Sequence, residues 1–265
     1  MRVTLITGAA SGLGWAMARH WAAAGDALLL ADIDAAALDA RRSELSAAGV
    51  APGRIASVDG DLTRPEVIAR VVDTAQTRFG RLDLLVNNAG ITHRSPAHRT
   101  DPAVFRRVMA VDWQAPVELT LAALPLLRAS RGTIVTIGSM AGWMPVPGRA
   151  GYGAAKAALT QWFEVLRLEL EADGVRLLMV YPSFLDTPIE QHALGADGAA
   201  AAHARSTVGR VRSALDTVSA IDRALAHGAR WLAPDPLARF GALLWRIAPG
   251  WYLASVRRRF AGELR

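Results

Sequence analysis

Arg2-Val3-Thr4-Leu5-Ile6-Thr7-Gly8-Ala9-Ala10-Ser11-Gly12-Leu13-Gly14 begins as an apolar strand and breaks at once into glycines. The first residues predict a strand near 2–7, and the pattern that follows predicts a helix near 12–24. Glycines at such a junction let the backbone turn tightly and approach a pyrophosphate. That anion then rests on the helix N-terminus, where free N–H groups and the dipole favour negative charge. The spacing over Gly8, Gly12 and Gly14 is G-x-x-x-G-x-G, not the commoner G-x-G-x-x-G. Its position after a strand and before a helix is what gives the motif weight.

The same rhythm continues outward. Strands are expected near 27–31, 54–58, 82–86, 132–137, 175–180 and 229–233, and helices near 35–48, 64–78, 101–128, 151–173 and 216–227. The strands are apolar without alternation, as in a parallel sheet covered on both faces. Repeated strand–helix alternation predicts one α/β domain, a doubly wound parallel sheet of about seven strands with helices on both faces. Residues 188–215 interrupt the rhythm, and a segment that long is expected to be a lid or binding loop.

Asp32 ends the second strand, eighteen residues after Gly14, with Ile33 following. A carboxylate there accepts hydrogen bonds from ribose hydroxyls and repels a 2′-phosphate. The repulsion is on the order of a few kcal/mol, or about two decades in affinity. NAD is therefore expected over NADP. The competing role for Asp32 is a helix cap, for which Asp34 is an equal candidate.

Ser139 follows the fifth strand, with Tyr152 and Lys156 thirteen and seventeen residues later. Four apart on a helix, Tyr152 and Lys156 share a face. An ammonium beside a phenol favours the phenolate, which predicts a pKa lowered from about 10 toward the working pH. That makes Tyr152 an acid or base for an alcohol or ketone oxygen, which Ser139 can hold and stabilise. Lys156 is the single lysine beside 29 arginines. Its task therefore calls for a compact ammonium on a flexible stem.

Thr7-Gly8-x-x-x-Gly12-x-Gly14, Asp61, Asn87-Asn88-Ala89-Gly90, Ser139, Tyr152-x-x-x-Lys156, and Pro182 with Thr187 fall in order over roughly residues 1–235. The pattern resembles the short-chain dehydrogenase/reductase family, which implies a Rossmann-like fold and hydride transfer with a nicotinamide dinucleotide. The resemblance implies that Gly8, Ser11, Gly12, Leu13 and Gly14 cradle the cofactor phosphates, beside Asp32 and Ile33. It assigns Asp61, with Leu62 beside it, to the adenine end, Asn87, Asn88, Ala89 and Gly90 to the floor under the dinucleotide, Thr187 to the carboxamide, and Pro182 to the cofactor as well. Tyr152 and Lys156 would also touch the nicotinamide ribose. Apolar substrates, hydrophobic secondary alcohols or their ketones, would meet Ser139, Tyr152, His93, Met140, Trp143 and Phe184.

Two positions depart from the family pattern. Asp112 stands where the family usually has asparagine, at a helix distortion whose carbonyl serves a proton relay; a carboxylate there is expected to tighten the proton on Lys156. Ser183 replaces the glycine after Pro182, which is expected to narrow the space beside the nicotinamide. These departures leave a second reading open, a dinucleotide-binding regulator with little turnover.

Composition excludes several other classes. No cysteine means no disulfide framework, thiolate metal site or cysteine nucleophile, and no metal is expected. The start leaves no room for a signal peptide and no apolar run approaches a membrane span, so a cytoplasmic location is expected. Of the net charge of +6, seven arginines against Asp235 and Glu263 place +5 between Gly228 and Arg265. The body is then nearly neutral, and nucleic acid is not an expected partner. A family member of this kind is expected to form a homodimer or homotetramer. Residues 236–265 form an amphipathic, arginine-rich extension, in which Leu237, Phe240, Leu244 and Ile247 recur at helical spacing. It is expected to pack on the same domain or a neighbouring subunit, or to touch a membrane surface peripherally.

Overall fold

The computed structural model describes residues 1–201 and 211–261. Seven parallel strands form one sheet in the order β3-β2-β1-β4-β5-β6-β7. They are β1 (Val3–Thr7), β2 (Ala27–Asp32), β3 (Ile55–Asp59), β4 (Leu84–Asn87), β5 (Thr133–Ile137), β6 (Arg176–Val180) and β7 (Trp231–Leu232). Between them run α1 (Gly12–Ala23), α2 (Ala35–Ala47), α3 (Pro65–Phe79), α4 (Pro102–Met109), α5 (Ala115–Ser130), α6 (Ala150–Glu169) and α7 (Ala214–Ala226).

Successive strand residues point to opposite faces, and here both faces are dry. Leu5 and Leu29 pack with Val71 of α3, Leu127 of α5 and Phe163 of α6. Ile6, Leu28 and Leu30 pack with Met17 of α1, Leu38 of α2 and Ile221 of α7. This double burial is why the strands read as unbroken apolar runs. Strand order reverses between β1 and β4, and a crevice opens at their carboxyl ends.

The helix expected over 101–128 is two helices joined by a π-turn at Ala110–Gln114, which contains Asp112. Such a turn adds a residue to the helical winding and is frequent at functional sites. The cap of α2 falls to Asp34, whose carboxylate accepts from the Ala37 N–H at 2.9 Å, leaving Asp32 for other work.

The described part of the 188–215 segment is not a free-standing lid. Arg94 N donates to Leu194 O at 2.7 Å and Asp101 N to Ala196 O at 2.8 Å, tying the segment to the loop after β4. Its residues 202–210 lie outside the described residues. The extension forms two helices, α8 (Pro236–Ile247) and α9 (Pro249–Arg259), with residues 262–265 likewise outside. Ala238 and Ala242 of α8 join the main core, and Tyr252, Val256 and Phe260 of α9 pack on Met144, Val146 and Phe184. The extension therefore packs on its own domain. No helix among the described residues is long and apolar enough to cross a membrane.

Candidate active site

The turn after β1 and the strand end of β4 face each other across the crevice. Gly8 and Gly12 adopt left-handed φ values of +63° and +53°. Side chains there would be strained, and a Cβ on Gly8 would stand 2.9 Å from Ala89 Cα. Asn88 closes the floor by donating from Nδ2 to Thr7 O at 2.8 Å. The Thr7 hydroxyl oxygen accepts from Asn88 N and Ala89 N, both at 3.0 Å. Ser11 begins α1 without a side-chain cap, so the first turn of the helix presents its N–H groups toward the crevice. Asp32 takes Ala10 N at 2.9 Å on Oδ2 and Asp34 N at 3.1 Å on Oδ1, which fixes the carboxylate and leaves lone pairs on both oxygens.

These groups line one cleft of about 730 Å³. Gly8, Ser11, Gly12, Leu13, Asp32, Ile33, Asp61, Leu62, Asn88, Ala89, Gly90, Pro182 and Thr187 all lie on its wall, together with Ser139, Tyr152 and Lys156. The cradle fits a dinucleotide: glycine turn and helix N-terminus for the phosphates, a fixed carboxylate for a ribose. Gly14 is off the wall. A Cβ there would stand 2.0 Å from Gly8 O, so this glycine serves the close packing of α1 on the turn.

At the deep end, Ser139 is placed by a short helical turn that its own Oγ caps, accepting from Ala141 N at 3.1 Å. Gly142 lets that turn rest on α6, since a Cβ there would stand 2.8 Å from the Lys156 carbonyl carbon. Lys156 Nζ donates to Ile137 O at 3.1 Å and lies 5.7 Å from the Tyr152 ring centroid. It is also 3.2 Å from Asp112 Oδ2. The contact is an ion pair between two buried side chains. Asp112 Oδ1 accepts from Ile91 N at 2.8 Å. Asp112 is fully buried behind the cleft wall.

The electrostatics correct one expectation. Tyr152 stands above its ordinary pKa, not below it. Loss of hydration is the largest influence; the Lys156 ammonium and the Ser139 hydrogen bond pull the other way, and Asp112 adds to the rise. Burial also works against the Lys156 ammonium, but Asp112 and Tyr152 together overcome it and hold the proton more tightly than usual. Asp112 itself is raised, by burial first, with Lys156 opposing.

Four expected substrate contacts lie elsewhere. His93 is fully buried, with Nε2 accepting from Gly151 N at 2.8 Å. The N–H therefore sits on Nδ1 and faces Ser95 Oγ at 3.2 Å. Burial and nearby Arg149 push its pKa down to about 4. Its place is to hold the first turn of α6, one residue from Tyr152. Met140 is buried in the core, Trp143 stacks on Tyr181 with centroids 4.3 Å apart, and Phe184 packs against α9. Ile91, Thr92, Leu185 and Ile189 stand on the wall, with His192 exposed among the lining residues.

Ser183 is anchored from behind the cleft. Its hydroxyl donates to Asp235 Oδ2 at 2.5 Å, while Asp235 Oδ1 caps α8 by accepting from Leu237 N at 2.9 Å. Ser183 still stands on the cleft wall beside Pro182, with its hydroxyl bonded to the helix cap. Among the described residues no cluster of histidine and acidic side chains suits a metal ion.

The comparisons agree with this architecture. Residues 2–197 match the model of the short chain dehydrogenase family. The chain is 34% identical over 266 residues to bovine dehydrogenase/reductase SDR family member 7B, covering 98% of this chain and 82% of that protein. It is 37% identical to 11-beta-hydroxysteroid dehydrogenase A of Sesamum indicum, covering 72% of this chain and 54% of that one. The chain thus spans about half the length of that relative. A short-chain dehydrogenase from Sphingobium yanoikuyae, solved with NADPH, superposes with a TM-score of 0.78 at 28% identity, covering 100% of this chain and 97% of its own. With the glycine turn, the Asn87–Gly90 floor and the Ser139, Tyr152 and Lys156 cluster on one cleft, the chain belongs to the short-chain dehydrogenase/reductase family and is an oxidoreductase of it.

Proposed function

We propose that this chain interconverts an apolar secondary alcohol and its ketone with NAD(H), Tyr152 moving the proton. The observation behind this reading is the joint placement of Ser139, Tyr152 and Lys156 at the deep end of a cleft whose other end carries Asp32. A bound nicotinamide dinucleotide supplies or accepts the hydride. Ser139 holds the substrate oxygen, and the Tyr152 hydroxyl gives it a proton in reduction or takes one in oxidation. Because burial keeps the phenol protonated, the resting site is set for giving a proton to a ketone. Ile91, Leu185 and Ile189 on the wall support an apolar substrate, and the name of the sesame relative is consistent with one. A panel of secondary alcohols and ketones, followed by nicotinamide absorbance with each cofactor, tests the reading. Absence of turnover across apolar members, with turnover of small acids or sugars instead, would overturn the substrate class.

Asp32 supports NAD over NADP. Arg41 of α2 also reaches the glycine turn, its Nε donating to Ala10 O at 2.9 Å, but Glu44 pairs with that guanidinium. The Sphingobium relative was solved with NADPH, so the choice of cofactor rests on this chain's own residues. In this chain NAD(H) is expected to bind about a hundredfold more tightly than NADP(H), and Asp32→Ala to close most of that gap. Titration showing equal affinities in the unsubstituted protein removes the assignment.

Asp112→Asn is expected to move the pH–rate profile of alcohol oxidation to lower pH. Asp112 raises the Tyr152 pKa, so removing its charge lets the phenol ionise earlier. Asparagine keeps an oxygen for Ile91 N, and the fold should persist. An unmoved profile with retained activity would show that the carboxylate does not reach the proton-transfer step.

A further inference from the structure

We propose that the face formed by α8 and α9 docks on an anionic lipid surface. Ala238 and Ala242, four apart, face the core, so the opposite side of α8 faces solvent. That solvent side is apolar: Phe240 is 60% exposed, Leu243 54% and Ile247 74%, at spacings that share one face. Trp251, at the first turn of α9, is also 80% exposed. A helix on a globular surface normally turns charge outward. Here the outward side chains are those that a folded monomer gains by covering.

Charge selects the occupant. From Pro236 to Ala261 the chain has Arg239, Arg246, Arg257, Arg258 and Arg259 and no carboxylate. All five arginines are exposed. A second copy related by a two-fold axis through this face would set arginines against arginines. An anionic surface meets both features at once: the arginines reach the headgroups while phenylalanine, tryptophan and aliphatic side chains enter the boundary below them. The contact is peripheral, and it does not depend on the proposed catalytic reading.

The test uses the full chain and two vesicle compositions, equimolar phosphatidylcholine with phosphatidylglycerol, and phosphatidylcholine alone. Cosedimentation is expected with the first, at least tenfold weaker with the second, and weaker again as salt is raised. Replacing Arg257, Arg258 and Arg259 by glutamine should lower affinity by roughly a hundredfold or more, at about one kcal/mol per arginine near the surface. Phe240→Ser with Ile247→Ser should weaken binding comparably, while thermal unfolding and turnover stay near those of the unsubstituted protein. No cosedimentation at low salt, or binding that survives both sets of substitutions, overturns the proposal. So does light scattering that shows self-association abolished by Phe240→Ser with Ile247→Ser in a protein that ignores vesicles; a second copy would then be the occupant.

Discussion

Tyr152→Phe is expected to lower turnover by between about a hundredfold and ten-thousandfold, the range that a positioned acid or base contributes. The ring remains, so its packing and its place near the Lys156 ammonium remain too. What disappears is one hydroxyl, the group that Ser139 bonds and that Lys156 acts on electrostatically. Dinucleotide affinity should change little, because the glycine turn, the Asn88 floor and Asp32 are untouched. Turnover on an active substrate and cofactor titration, measured on the same preparation, separate the two effects. Retention of near-normal turnover would show that the proton leaves by another route.

Lys156→Ala should cost both turnover and stability, and the stability loss should grow with pH. Lys156 is the cation at 3.2 Å from Asp112, and both side chains are buried. Removing one member of such a pair leaves the other uncompensated, at about 3–5 kcal/mol. Asp112 can escape that cost by keeping its proton. Its folded pKa is already raised, and losing Lys156, which lowers it, raises it further. A carboxyl group with a raised folded pKa favours folding below its unfolded value, near about 4, and loses that advantage as pH climbs toward the folded value. The variant should therefore approach the parent in stability under acid conditions and fall away from it toward neutrality. Denaturant unfolding across that pH range measures the deficit. Adding Asp112→Asn should restore stability without restoring turnover. A deficit independent of pH would mean that Asp112 is already neutral in the unsubstituted protein.

The two variants probe features of different legibility. Tyr152 and Lys156 are readable in one dimension, since four residues on a helix share a face whatever surrounds it. The glycine turn is equally local: its glycines sit at a strand–helix junction, and positive φ at Gly8 and Gly12 follows from the turn itself. The inner strands are readable because they are dry on both sides, whereas edge strand β7 leaves Trp231 54% exposed. The sign of the Tyr152 shift is not local. It is the balance of dehydration, one ammonium and a carboxylate forty residues away in sequence, and only packing sets their relative weight. His93 shows the same limit: a histidine near a cleft in sequence order becomes a buried acceptor once Gly151 N is aimed at it.

The sequence by itself determined the fold class, the parallel double winding, the glycine turn and the pairing of Tyr152 with Lys156 on one helix face, because each is written in short-range spacing or in uniform burial. Tertiary structure decided what the distant residues do. It placed Asp112 against Lys156 through a π-turn, bonded Ser183 to Asp235 at the start of α8, and withdrew Met140, Trp143 and Phe184 into packing. It also turned Ala238, Ala242, Tyr252, Val256 and Phe260 of the extension inward and left Phe240, Ile247 and Trp251 outward. Periodicity shows that a helix has an apolar stripe; which side of it the protein covers depends on neighbours that come from elsewhere in the chain.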